Sequence, residues 1–200
     1  PPKECGIAHM VEHMLFKGTG RQGVGELARV VEGEGGSLNA WTSHDETVLH
    51  AVGPCAAVPL FLEVMTDALF SPSFDAQELE REKEVVLEEI RHGENTPIHR
   101  VSDRIFEVSY PEGGYGRPIL GTVDTVRAFS PEDLEAFHGR WYTPDNITFV
   151  VVGDIDPADV QKRLAQLIPS RSAPARRVLP VAPRPAPGTL EILRGVCSEA

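Results

Sequence analysis

Apolar residues recur at three- and four-residue intervals from position 6 to 17, and Gly18 and Gly20 stop the run, which predicts a helix over 6–17. A second helix fits 25–34 and ends at Gly35-Gly36. The period then changes. In "SLNAWTSHDETVLHAV" two strand-like runs flank a turn at His44-Asp45. Leu38, Ala40 and Thr42 fall on one side of the first run, and Asn39, Trp41 and Ser43 on the other. Pro54 opens a long apolar helix to Phe70, closed by Ser71-Pro72. Asp75 is a good N-cap for the helix "AQELEREKEVVLEEIRHG", which Gly93 ends. Another helix is predicted over 98–108, followed by a Gly-rich loop, "YPEGGYGRPILGT". Ser130-Pro131 places a cap before a proline at the first helical position, ahead of a helix over 132–141. Asp156-Pro157 repeats that chemistry before 158–167. Between them, "NITFVVVGD" reads as a buried strand.

Beyond position 168 the periodicity is lost, and a Pro-, Ala- and Arg-rich linker is expected over 169–188. "TLEILRG" then looks like the first strand of a further unit. The expected division is one domain over 1–168, the linker, and the start of another domain over 189–200. The chain opens at Pro1 with no strand before its first helix, so the first domain is read as lacking its beginning. Helices and strands mix without strict βαβ alternation. The fold class is therefore α+β, a largely antiparallel sheet packed with helices.

Composition narrows the function. The 200 residues are 41% hydrophobic and 24% charged, a globular balance. No apolar run approaches the roughly 20 residues that span a bilayer. Net charge is -11 with no Lys/Arg stripe, which argues against nucleic acid as a partner. Cys5, Cys55 and Cys197 are far apart and form no C-x-x-C pair, so free thiols are expected rather than a disulfide framework or a thiolate metal site. The compartment is not legible; a soluble protein of the bacterial cytoplasm or periplasm is the expectation.

The candidate chemistry lies in "HMVEH". His9 and His13 stand at i and i+4, so they share a helix face and both imidazoles can reach one ion at about 2.0–2.1 Å. Glu12 flanks that face. The order H-x-x-E-H is the inverse of the common zinc-protease motif. Catalytic zinc also needs a third protein ligand and one open position. The helix "EREKEVVLEEI" offers one, with Glu82 and Glu89 two turns apart on one face. Glu88 and Glu89 point about 100° apart, so only one can face an ion. Val85, Val86 and Ile90 mark the apolar side, and a glutamate there is costly unless it is paired or binds metal.

"GIAHMVEHMLFKGT", "GGSLNAWTSHDETVLH", "EREKEVVLEEI", "YGRPILGT" and "YTPDNITFVVVGDID" together resemble the catalytic N-terminal half of the pitrilysin family of inverted-zincin metallopeptidases. That family includes mitochondrial processing peptidase, insulysin and many bacterial zinc proteases. The resemblance implies a zinc-dependent endopeptidase for extended peptides, with one Zn2+ per chain. It makes His9, His13 and Glu89 the zinc ligands and Glu12 the general base. Glu82 becomes the carboxylate that orients a ligand histidine. Asn39, Ala40 and Trp41 lie on the strand that pairs with substrate, and Trp41 departs from the Phe expected there. The resemblance also implies a second homologous half or subunit that closes the chamber and supplies an Arg and a Tyr. The alternative is a non-catalytic subunit that keeps the fold for assembly or peptide binding.

Overall fold

The computed structural model describes residues 2–111 and 114–170. Among these residues, eight α-helices and one hairpin are ordered α1 (Ile7–Leu15), α2 (Glu26–Gly33), β1 (Ser37–Thr42), β2 (Thr47–Val52), α3 (Val58–Phe70), α4 (Ala76–Asn95), α5 (Pro97–Ser109), α6 (Val123–Ala128), α7 (Pro131–Trp141) and α8 (Pro157–Leu167). The expected linker beyond 170 and the strand "TLEILRG" lie outside the described residues.

Local chemistry accounts for most helix boundaries. Asp75 accepts from the Gln77 and Glu78 amides at the start of α4. Ser130 and Asp133 form a reciprocal capping box on α7, with Pro131 at its first position. Asp156 caps α8 through the Ala158 amide. The sequence reading missed α6, although Thr122 and Thr125 cap it reciprocally. Its six residues are too short to carry a period.

Two apolar clusters hold the elements. The larger joins Met10, Val11, Met14 and Leu15 of α1 to Leu79, Val86 and Leu87 of α4, and to Val126, Phe129, Leu134 and Tyr142. The smaller packs Leu27 and Val31 of α2 on Phe61, Val64 and Ala68 of α3. Leu49 of β2 touches both, so the hairpin ties them together. Each fully buried Leu or Val stabilises by roughly 1.5–3 kcal/mol, so α1 is the most firmly seated helix of the site. Its start is fixed by a close crossing with the Gly-rich loop. Gly6 has φ 87°, and a Cβ there would lie 2.6 Å from the Gly121 Cα. Any side chain would push the loop away.

The α+β class stands: the molecule is helix-rich with a small antiparallel sheet. β1 and β2 pair antiparallel, with Thr42 opposite Thr47 and Asn39 opposite His50. Leu38, Ala40 and Thr42 are half-buried while Ser37, Asn39 and Trp41 are exposed, as the alternation predicts. Two expectations fail. The segment 147–152 forms no strand among the described residues. Ile147 and Phe149 pack on the larger cluster, but Val150 is 78% and Val152 90% exposed. The alternation suits a strand, yet no neighbouring strand completes its ladder. Val85 is also exposed, because the packed face of α4 runs through Leu79, Glu82, Lys83, Val86 and Leu87.

Candidate metal centre

One side of α1 is apolar and buried, which turns His9, Glu12 and His13 together toward a cleft of about 1210 Å3. α4 lies against α1 and brings Glu82 and Glu89 to the same cleft. His9 Nε2 is 3.6 Å from Glu89 Oε2, and His13 Nε2 is 3.7 Å from Glu89 Oε1. One donor atom from each of the three residues lies within 4.8 Å of the other two. Two donors about 2.1 Å from a tetrahedral ion sit about 3.4 Å apart, so these spacings fit a shared cation. Glu88 points elsewhere, into an ion pair with Arg91.

Around the triad, charge and hydrogen bonding are specific. The two carboxylate oxygens of Glu82 are divided: Oε2 meets His13 Nδ1 at 3.0 Å and Oε1 meets Lys17 Nζ at 2.7 Å. A proton held on Nδ1 leaves the Nε2 lone pair of His13 facing Glu89. Burial raises the Glu82 carboxyl, but the bonds from Lys17 and His13 outweigh it and hold the group below its ordinary range. His9 is mostly buried, its side chain 11% exposed. Burial, with a smaller contribution from His13, lowers it to about 4, so its ring is neutral near pH 7 and free to act as a ligand. Its Nδ1 is buried without a partner among the described residues.

Glu12 is 8% exposed and borders the same cleft, outside the group of three. Burial pushes its carboxyl up, the Thr42 hydroxyl and His13 pull it down, and Glu89 adds to the rise. Thr42 Oγ1 donates to Glu12 Oε2 at 2.5 Å. Sequence reading did not find this bond; Thr42 was legible only as an inward position of a strand. Lys17 was missed for a similar reason, since nothing in a lysine one turn past His13 announces a buried carboxylate beside it.

Asn39, Ala40 and Trp41 line the cleft together with the triad. Asn39 Oδ1 accepts from the Ala40 amide at 2.8 Å. Trp41 stands 48% exposed at the rim, its ring 5.3 Å from that of His50. All eight sequence-predicted positions therefore border one cleft. Its remaining walls come from the end of α4, from α5 and from residues 118–124. Cys5 and Cys55 are free thiols, as expected, and neither lines the cleft.

The family pattern described as "Insulinase (Peptidase family M16)" matches residues 1–123, more than half of the chain. The chain belongs to this family. A second pattern, "Peptidase M16 inactive domain", matches residues 128–196. The uncharacterized zinc protease YmxG of Bacillus subtilis is 37% identical over 164 residues, covering 80% of this chain and 40% of the relative. A probable mitochondrial-processing peptidase subunit beta of Arabidopsis thaliana is 32% identical over 168 residues, covering 84% of this chain and 32% of the relative. Among solved structures, a protease from Helicobacter pylori superposes with a TM-score of 0.82 at 28% identity, over 91% of this chain and 44% of that one. Pitrilysin superposes with a TM-score of 0.79 at 22% identity, a likeness of fold alone. The chain thus spans less than half the length of the relatives it matches.

Proposed function

We propose that the chain is the zinc-binding catalytic part of a metalloendopeptidase that hydrolyses extended peptides. The convergence of His9, His13 and Glu89 from two helices, with Glu12 beside them in an open cleft, carries this reading. The names of the relatives as zinc proteases support it. A zinc ion held by the three residues would supply Lewis-acid polarisation and water that ionises near pH 7. Glu12 takes a proton from the attacking water as its oxygen bonds to the peptide carbonyl carbon. It returns that proton to the amine as the C–N bond breaks. Glu82 holds His13 in the tautomer that presents Nε2. β1 has a single strand neighbour among the described residues, so its other edge is open to an extended substrate. Backbone pairing of that kind tolerates many sequences.

The reading includes a partner: a second homologous half or subunit that closes the cleft. Two solved relatives, one a first half of the periplasmic protease PqqL of Escherichia coli and one a Pseudomonas fluorescens peptidase M16 inactive domain, are consistent with such halves. It also keeps the division into a zinc-binding unit over 1–168, a linker over 169–188 and the start of a following unit. No described helix is long and apolar enough to cross a membrane.

Protein purified without added metal should contain about one zinc per chain by elemental analysis, and His13→Ala or Glu89→Gln should lose it. The full-length protein should cleave peptides, and a chelator should stop it. Zinc at full occupancy in either variant overturns the ligand set. A zinc-loaded protein that cuts no peptide favours the non-catalytic subunit.

A further inference from the structure

The reading above gives Glu12 a role but leaves open what aims it. A glutamate has three side-chain torsions, and freezing them costs conformational entropy. A catalytic group has to be held to within about 0.5 Å to act efficiently. α1 alone cannot do this, since its backbone fixes Glu12 only as far as Cβ.

Thr42, thirty positions away on β1, reaches Glu12. Its Oγ1 lies 2.5 Å from Glu12 Oε2 and 3.1 Å from Thr47 Oγ1, and Thr42 and Thr47 are direct partners in the hairpin register. A hydroxyl has one hydrogen. The carboxylate is an acceptor only, so Thr42 must spend its hydrogen there. Thr47 must then donate to Thr42. The bonds run in one direction, Thr47 to Thr42 to Glu12. The arrangement occupies Oε2. No described residue bonds Oε1, and Glu12 lines the cleft.

We propose that Thr42, backed by Thr47, is a positioning residue that fixes the Glu12 carboxylate so that Oε1 is presented to the attacking water. The proposal rests on Glu12 as the general base. Among the described residues the Thr42 hydroxyl bonds Glu12 and Thr47 and none of the triad, so it acts through Glu12. Alternation along β1 puts Thr42 on the half-buried side, while Asn39 and Trp41 stand exposed.

Thr42→Val keeps the shape and β-branching of the side chain and removes the hydroxyl, so the hairpin should be preserved. In the full-length protein it should lower kcat about tenfold to hundredfold, the scale of a misplaced reacting group. KM should stay within about twofold and zinc content should be unchanged, because uniform binding is untouched. Thr42→Ser should restore most of kcat, and Thr47→Val should fall between. An unchanged kcat in Thr42→Val overturns the proposal, as does a Thr42→Ser variant as slow as Thr42→Val. A crystal structure of zinc-loaded Thr42→Val gives a readout independent of activity. A displaced or multiply placed Glu12 carboxylate supports the proposal, and one in its original place overturns it. If the wild-type protein cuts nothing while Glu12 moves in the variant, Thr42 still positions Glu12 and it is the peptidase reading that fails.

Discussion

Glu82 divides its oxygens between Lys17 and His13, and that division sets what a change at this position should do. Glu82→Gln would present one acceptor oxygen where two are used, and its NH2 would face either an ammonium or an N–H. His13 would lose the fixed tautomer. The expected outcome is a roughly 10- to 100-fold weaker hold on zinc, measured by competition against a chromogenic chelator. An unchanged affinity would mean that packing alone orients His13. Glu12 poses the opposite case. It borders the triad without belonging to it, so Glu12→Gln should keep about one zinc per chain and lose peptide hydrolysis by about 10²-fold or more. Zinc lost from that variant would show that Glu12 is a ligand. Both residues were legible in sequence because helical spacing places them: Glu12 next to His13, Glu82 two turns before Glu89. Lys17 and Thr42 were not, because what matters about them is the residue they meet.

In the proposed function the hairpin is the element on which substrate handling turns. β1 has an open edge beside the cleft, and Asn39 stands on it with its Oδ1 already engaged by the Ala40 amide. No described residue takes its amide hydrogens, which leaves them for a peptide carbonyl. Asn39→Ala should therefore raise KM or lower kcat/KM on peptides, with zinc content and thermal stability close to wild type. Unaltered kinetics would remove Asn39 from the substrate path. The alternation that placed Asn39 outward and Thr42 inward was readable from the sequence. The apolar run 147–152 reads as a buried strand and is not one, although its side chains alternate in exposure as a strand's do. Periodicity reports which side chains face a core, while a strand also needs a ladder partner, and none lies beside 147–152 among the described residues.

For the whole molecule, the cleft is wide and open, bounded by α1, α4, α5, β1 and the loop before α6. A peptide can lie along β1 only if it is extended, and a closing second half would further exclude folded chains. Incubated with a mixture of peptides and native folded proteins, the full-length protein should digest the peptides first, by a wide margin in mass spectrometry. Equal cutting of folded proteins would rule out a closed chamber. The chain's local order follows from its sequence: caps at Asp75, Ser130 and Asp156, the i, i+4 pair of histidines, and the two-turn spacing of Glu82 and Glu89 are all interactions within one turn or one helix. What brings α4 against α1, sets Glu89 within 3.7 Å of both histidines, turns Val85 to solvent and carries Thr42 to Glu12 is long-range packing. Those contacts join residues separated by about 30 to 80 positions. Such separations leave no period in the sequence, so only the packed core decides them.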